Sequence, residues 1–189
     1  WTLLAWAGIV DSIFLQYRDL RELDPWIEWM TLSHEADVDR LPQVPKELVI
    51  SSMLFALAFR RPEHERMGNW VHRAERLVER NAICDLGARL SAGLVTNYIW
   101  HGDLSAAQIV CTRFRAQAAR KHLSALATVL NHLNEATLYL HQGRLEPCFR
   151  AIEEGLEASR THGIRSWDSI LHCHAIVICC SKGDSSLAK

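Results

Sequence analysis

The stretch Leu94-Val-Thr-Asn-Tyr-Ile-Trp-His-Gly-Asp-Leu-Ser-Ala-Ala107 decides how this chain folds. An apolar helix runs into Gly102-Asp103, and the small residues Ser105, Ala106 and Ala107 then open a second helix that can lie close against the first. Glycine enters the left-handed conformation at little cost, so it ends a helix and redirects the chain. The same order of residues recurs at Tyr139–Cys148 and at Cys179–Ala188.

Aligning the turns gives Arg18, Arg61, Gly102, Gly143 and Gly183, spaced 43, 41, 41 and 40 residues apart. Such a regular period marks a repeat architecture. A helix pair cannot bury both of its faces alone, so successive pairs stack and each covers its neighbour. The expectation is an all-α chain: a right-handed α-α superhelix, or solenoid, of about four and a half helix–turn–helix repeats with a period of about 41, forming one repeat domain over residues 1–189.

Apolar periodicity places the individual helices. The first is expected over Thr2–Tyr17 with Ala5, Trp6, Ile9, Val10, Ile13 and Phe14 on its buried stripe. A second starts at Pro25, with Asp24 as its N-cap, and fades near His34; a loop follows from Ala36 to Pro45. A third runs from Pro45 to the break at Arg61-Pro62-Glu63-His64, and a fourth spans Glu65–Arg80. The remaining five fall at Ala82–Trp100, Leu104–Lys121, His122–His141, Leu145–Thr161 and Ser166–Ser181.

Composition narrows the functional classes. With 21 Lys and Arg against 22 Asp and Glu, the net charge of −1 exerts no global pull on nucleic acid. No apolar run approaches the roughly 18 residues of a membrane span, because Asp11, Glu47, Arg89 and Asn97 interrupt the best candidates. The chain begins on Trp1 without a basic leader or a small-residue cleavage site, and it stops soon after Gly183 has opened a new turn; both ends read as those of a piece cut from a longer protein. Six cysteines without a C-x-x-C spacing read as small buried apolar helix residues in a reducing cytoplasm.

At the turns the residues resemble tetratricopeptide repeats, which place Tyr four residues before Gly and a small residue five after it. Tyr98-x3-Gly102-Asp103-Leu104-x2-Ala107 has that form, with Leu94 at the corresponding Leu position. Tyr139-x3-Gly143-Arg144-Leu145-x2-Cys148 has it with Cys for Ala, and Cys179-x3-Gly183-Asp184-x3-Ala188 more loosely. The first two repeats depart from it, with Arg18 and Arg61 for Gly and Phe14 and Leu57 for Tyr. The period exceeds the family's usual length of about 34 and overlaps the range of HEAT and armadillo repeats. Repeats of this length resemble the helical regions of large bacterial transcriptional regulators of the maltose-regulon-activator-like class, to which Asp24–Trp29 and Phe55–Arg60 are also similar. The resemblance implies a region that receives an effector or partner protein while separate ATPase and DNA-binding segments act. No G-x-x-x-x-G-K-[ST] loop and no basic recognition helix occurs in these residues.

On such an array the candidate binding surface is the concave face, formed by the first helix of each pair. Two residues before each turn anchor stand Gln16, Phe59, Trp100, His141 and Ser181, so Phe59–Trp100–His141 form an aromatic row able to grip a peptide or a flat ligand. Phe55, Thr96 and Thr137 lie one helical turn earlier, with Ser51 and Arg89 further back. The expected binding residues are therefore Phe55, Phe59, Arg89, Thr96, Trp100, Thr137 and His141. Packing between repeats is the alternative role for the large aromatics.

A polar column, Ser91–His132–His172 with Gly93–Asn134–His174 beside it, invites a metal reading with Cys173. The spacing argues against it, because no second ligand follows at i+4 and His172 and His174 point to different sides of their helix. Arg113, Arg115, Arg120 and Lys121, and Glu153, Glu154 and Glu157, read as solvated outer faces. No nucleophile motif and no carboxylate pair suggests catalysis.

The expectation is a non-enzymatic protein- or effector-binding module of a larger cytoplasmic bacterial signalling or transcriptional regulator. It would hold a protein, a peptide segment or a small effector in the concave groove, contact other domains of its parent chain, and need no cofactor, metal, nucleic acid or membrane. The alternative is a structural or self-association scaffold segment without a small-molecule ligand, and a homo-oligomer fits either reading.

Overall fold

The computed structural model describes residues 1–16, 19–80, 84–118 and 123–182, and everything regular among them is helical. Helix α1 spans Thr2–Leu15. A single 3-10 turn (Leu20–Leu23) then leads into α2 (Asp24–Trp29), a π-helical stretch (Met30–His34) and α3 (Glu35–Val38). Next come α4 (Gln43–Arg60), α5 (Met67–Glu79), α6 (Cys84–Trp100) and α7 (Leu104–Ala118). The last three are α8 (Ala125–His141), α9 (Leu145–His162) and α10 (Asp168–Lys182). Among the described residues no helix is long and apolar enough to cross a membrane. The expected anchors Arg18 and Gly183, the residues Arg120, Lys121 and Ala188, and the side chain of Cys84 lie outside what the structure describes.

The two best turns have one geometry. Gly102 and Gly143 sit at φ +78° and +68°. Beyond each, the next amide reaches back over the glycine to the tyrosine carbonyl: Asp103 N–H to Tyr98 at 2.8 Å and Arg144 N–H to Tyr139 at 2.9 Å. This satisfies carbonyls that the helix end would leave without donors. Asp103 then caps α7, its carboxylate accepting from the Ala106 amide at 2.9 Å. Arg61 ends α4 differently, at φ −139°, because Pro62 drives the residue before it out of the helical region. A proline stop replaces the glycine stop, and a glycine there is unnecessary.

Between Leu20 and Val38 the expected single helix and loop are corrected. The chain stays helical through Val38, and its winding tightens and then widens along the way. Asp24 is not an N-cap. It lies within α2 and accepts from Arg60 at 2.6 Å and Arg61 at 2.9 Å, which ties α2 to the end of α4. The Arg60 and Arg61 guanidiniums hold the Asp24 carboxyl below its ordinary range. On α1 the buried residues are Leu3, Trp6, Ala7, Val10 and Phe14, while Ile9 is exposed.

Packing follows chain order. The helices α1, α4, α6, α8 and α10 lie side by side in that sequence, and α5, α7 and α9 each pack antiparallel on the helix before them. A core drawn from α1 to α7, with Leu138 of α8, contains Trp6, Met53, Trp70 and Leu94. A second is built from Phe114, Leu130, Ile152 and Leu171. Positions 41 residues apart meet across neighbouring helices: Ser52 donates to Asp11 at 2.8 Å, and the Phe14 and Phe55 rings stand 5.3 Å apart. Tyr98 and Tyr139, also equivalent, both reach the helix of the preceding pair, Tyr98 donating to Glu75 and Tyr139 accepting from Arg115 at 3.0 Å.

The cysteines divide. Cys111, Cys148 and Cys179 are buried, whereas Cys173 and Cys180 are exposed, contrary to the expectation of buried cysteines throughout. Burial pushes the Cys111 thiol up to about 12 and that of Cys148 up to about 11, which leaves both unreactive. Of the expected basic face, Arg113 is paired with Glu79 at 2.9 Å and Arg115 with the buried Glu135, so neither is a free surface charge.

Candidate functional site

Six of the seven expected binding residues line one cavity of about 280 Å³: Phe55 and Phe59 from α4, Thr96 and Trp100 from α6, Thr137 and His141 from α8. A second chamber of about 220 Å³ adjoins it through the shared walls Phe14, Phe55, Leu130 and Trp167. Arg89, the seventh, lies in this second chamber. Gln16 and Ser181 are exposed and away from both chambers, and Ser51 is fully buried in the core.

The aromatic row is a cluster rather than a column. Phe14 stands 5.0 Å from Phe59 and 5.3 Å from Phe55, and Phe59 meets Trp100 edge-on at 4.9 Å. Edge-to-face pairs of this kind gain energy beyond area burial. Even so, Phe59 keeps 38% and Trp100 50% of its surface exposed. The rings therefore pack on each other and also present open faces to the cavity.

Arg89 has a partner of its own. Its Nη2 lies 2.8 Å from both carboxylate oxygens of Asp11, with the two side chains 25% and 21% exposed. The pair joins α1 to α6 across α4, and it neutralises the second chamber internally.

The polar groups of the first chamber come mainly from α8 and α10. His174 donates from Nδ1 to the Ile170 carbonyl at 2.7 Å, so in the neutral ring Nε2 carries the lone pair, 3.1 Å from the Thr137 hydroxyl. The Thr137 hydroxyl also lies 2.8 Å from the Leu133 carbonyl, and its single proton serves one acceptor at a time. His141 donates to the Thr137 carbonyl at 2.8 Å. Asn134 is only 6% exposed as a residue and lines the cavity, where its carboxamide makes no hydrogen bond among the described residues.

Burial lowers the His174 pKa below its ordinary value, with a smaller contribution from His141. The folded ring then binds its proton less readily than the unfolded one. Stability is full above the ordinary histidine value and falls as the pH drops below it, where the unfolded chain holds more protons. His174→Gln will accordingly lose less of its urea midpoint than the wild type between about pH 7.5 and about pH 5.5. Equal losses would contradict the assignment.

The other histidines stay apart. His172 is exposed, and His132 lies 3.4 Å from Glu154 on the far side of α8 from the cavity lining. Among the described residues no three His, Cys, Asp or Glu side chains are grouped to hold a metal ion. Four lining residues absent from the expected binding set stand out: Phe14, Trp167, Asn134 and His174. Phe14 carries a signal, since it precedes Phe55 by one 41-residue period. Asn134 and His174 share a register in the polar column. Trp167 sits in the turn before α10, where periodicity says nothing. No family model, curated protein or solved structure matches the chain.

Proposed function

We propose that the chain is a tetratricopeptide-like right-handed α-solenoid that acts as a non-enzymatic binding module of a larger cytoplasmic bacterial regulator. On this reading the groove takes up an effector or a partner segment and passes the occupied state to domains outside the repeats. The serial packing of α1, α4, α6, α8 and α10 and the shared turn geometry at Gly102 and Gly143 support the architecture.

The observation that carries the functional reading is the cavity itself: a concave, apolar-walled space onto which three successive helices direct equivalent side chains. Pockets of this kind, apolar with a few convergent polar groups, are where small ligands and partner side chains bind. The neutral fluorophore prodan tests it. Trp100→Ala and Phe59→Ala should each weaken prodan binding about tenfold, because each removes a ring's worth of apolar contact. Trp1→Ala, on an exposed ring away from the cavity, should leave it unchanged. Binding indifferent to both groove variants would leave the scaffold reading in its place.

A further inference from the structure

Building on the groove reading, we propose that the occupant is a single neutral, flat, aromatic molecule carrying an amide-type donor–acceptor edge (a lactam, imide or primary carboxamide), recognised by Asn134. Three observations converge on this class.

The first is the carboxamide itself. Asn134 is 94% buried, at 6% exposure, and faces the cavity with neither its oxygen nor its nitrogen engaged among the described residues. Unlike the side-chain oxygen of Asn97, these atoms are not sealed from solvent, so the carboxamide offers the cavity a donor and an acceptor side by side. The complementary group is another cis amide edge. At the same 41-residue register stand Ser52, which is bonded to Asp11, and Gly93, so only this copy leaves a free amide in the groove. One turn further along α8, the Thr137 hydroxyl has one proton for two acceptors, the Leu133 carbonyl and His174 Nε2, and a ligand donor would relieve that competition.

The second observation is charge. The first chamber is lined by no Asp, Glu, Lys or Arg among the described residues, and His174 is held neutral by burial. In the second chamber the charges of Asp11 and Arg89 neutralise each other. An anionic or cationic ligand would enter without a counter-charge and lose its hydration, which is strongly unfavourable.

The third is shape. Phe14, Phe55, Phe59, Trp100 and Trp167 wall chambers of about 280 and 220 Å³, the scale of a fused two-ring compound and not of an extended chain. Aromatic faces at these edges favour a planar guest that stacks or meets them edge-on.

Carbostyril, N-methylcarbostyril and quinaldate serve as probes: a flat lactam, the same ring system without its N–H, and an anion of similar size. Titration into the full chain, followed by calorimetry and by amide resonances, should show carbostyril binding about tenfold tighter than either of the others. Asn134→Leu should remove that tenfold advantage and leave N-methylcarbostyril within about twofold of its wild-type affinity. Asn134→Ser, the residue found at the same register in α4, should act likewise if the leucine variant fails to fold. Trp100→Ala should weaken all groove binding. If the two carbostyrils bind equally and both respond to Trp100→Ala, the groove stands and the amide-edge assignment falls. Preference for quinaldate, or no binding by any probe, overturns the ligand class. Binding that perturbs residues elsewhere and ignores Trp100→Ala overturns the groove reading itself.

Discussion

Trp6→Ala will lower the stability of the chain by about 3–5 kcal/mol, the cost of emptying a well-packed indole site. Trp6 is 2% exposed, and its indole N–H donates to the Trp26 carbonyl at 2.9 Å, so one side chain both fills the core and ties α1 to α2. Trp70 is buried as completely, beneath the Arg73 guanidinium at 4.9 Å, yet its N–H has no partner among the described residues. The phenylalanine variants should therefore separate. Trp6→Phe loses a made hydrogen bond, whereas Trp70→Phe loses volume but also removes an unsatisfied buried donor, and these two effects offset. Urea denaturation should rank Trp6→Phe as the more damaging by about 1 kcal/mol. The reverse order would show that indole packing, not hydrogen bonding, distinguishes the two sites.

Gly93→Val will destabilise by about 1–3 kcal/mol through overpacking. A Cβ at Gly93 would stand 2.7 Å from Cδ2 and 3.1 Å from Cγ of Leu54, a side chain that is wholly buried. Gly93→Ala should also destabilise, even though alanine in a helix ordinarily gains about 1 kcal/mol over glycine. Gly68, in α5, has nothing within 4 Å of the added carbon, and Gly68→Ala should stabilise by about 0.5–1 kcal/mol. Opposite signs at two helical glycines isolate the close approach of α6 to α4 as the cause. A Leu54→Ala background should restore much of the loss in Gly93→Val.

The turn glycines, the helices after Arg61 and six of the seven groove residues were legible because they repeat. A period of 41 residues carries Phe59 onto Trp100 and His141 without any knowledge of contacts. At the first helix the anchor Arg18 sets the period two residues out of step: it selects the exposed Gln16, while the contacts pair Phe14 with Phe55 and Asp11 with Ser52. Leu20–Val38 is illegible for another reason: its changes of winding leave no single apolar period to detect. Asp24 has the composition of a helix cap, and only the arrival of Arg60 and Arg61 from a distant helix reveals its pairing. Arg89 presents the same problem, since nothing in its neighbourhood in sequence announces Asp11, 78 residues away.

That Asp11–Arg89 pair also bears on how the molecule comes apart. Arrays in which each unit touches only the next can fray from an end, one unit at a time, with the outermost amides exchanging first. Here the first helix is fastened both to its neighbour and to the helix after that. Peeling α1 away strips a partner from α6, so amides in the two helices should exchange with linked rates. The near end of the chain should thus open as a block, with α1 as a clasp beside the second chamber.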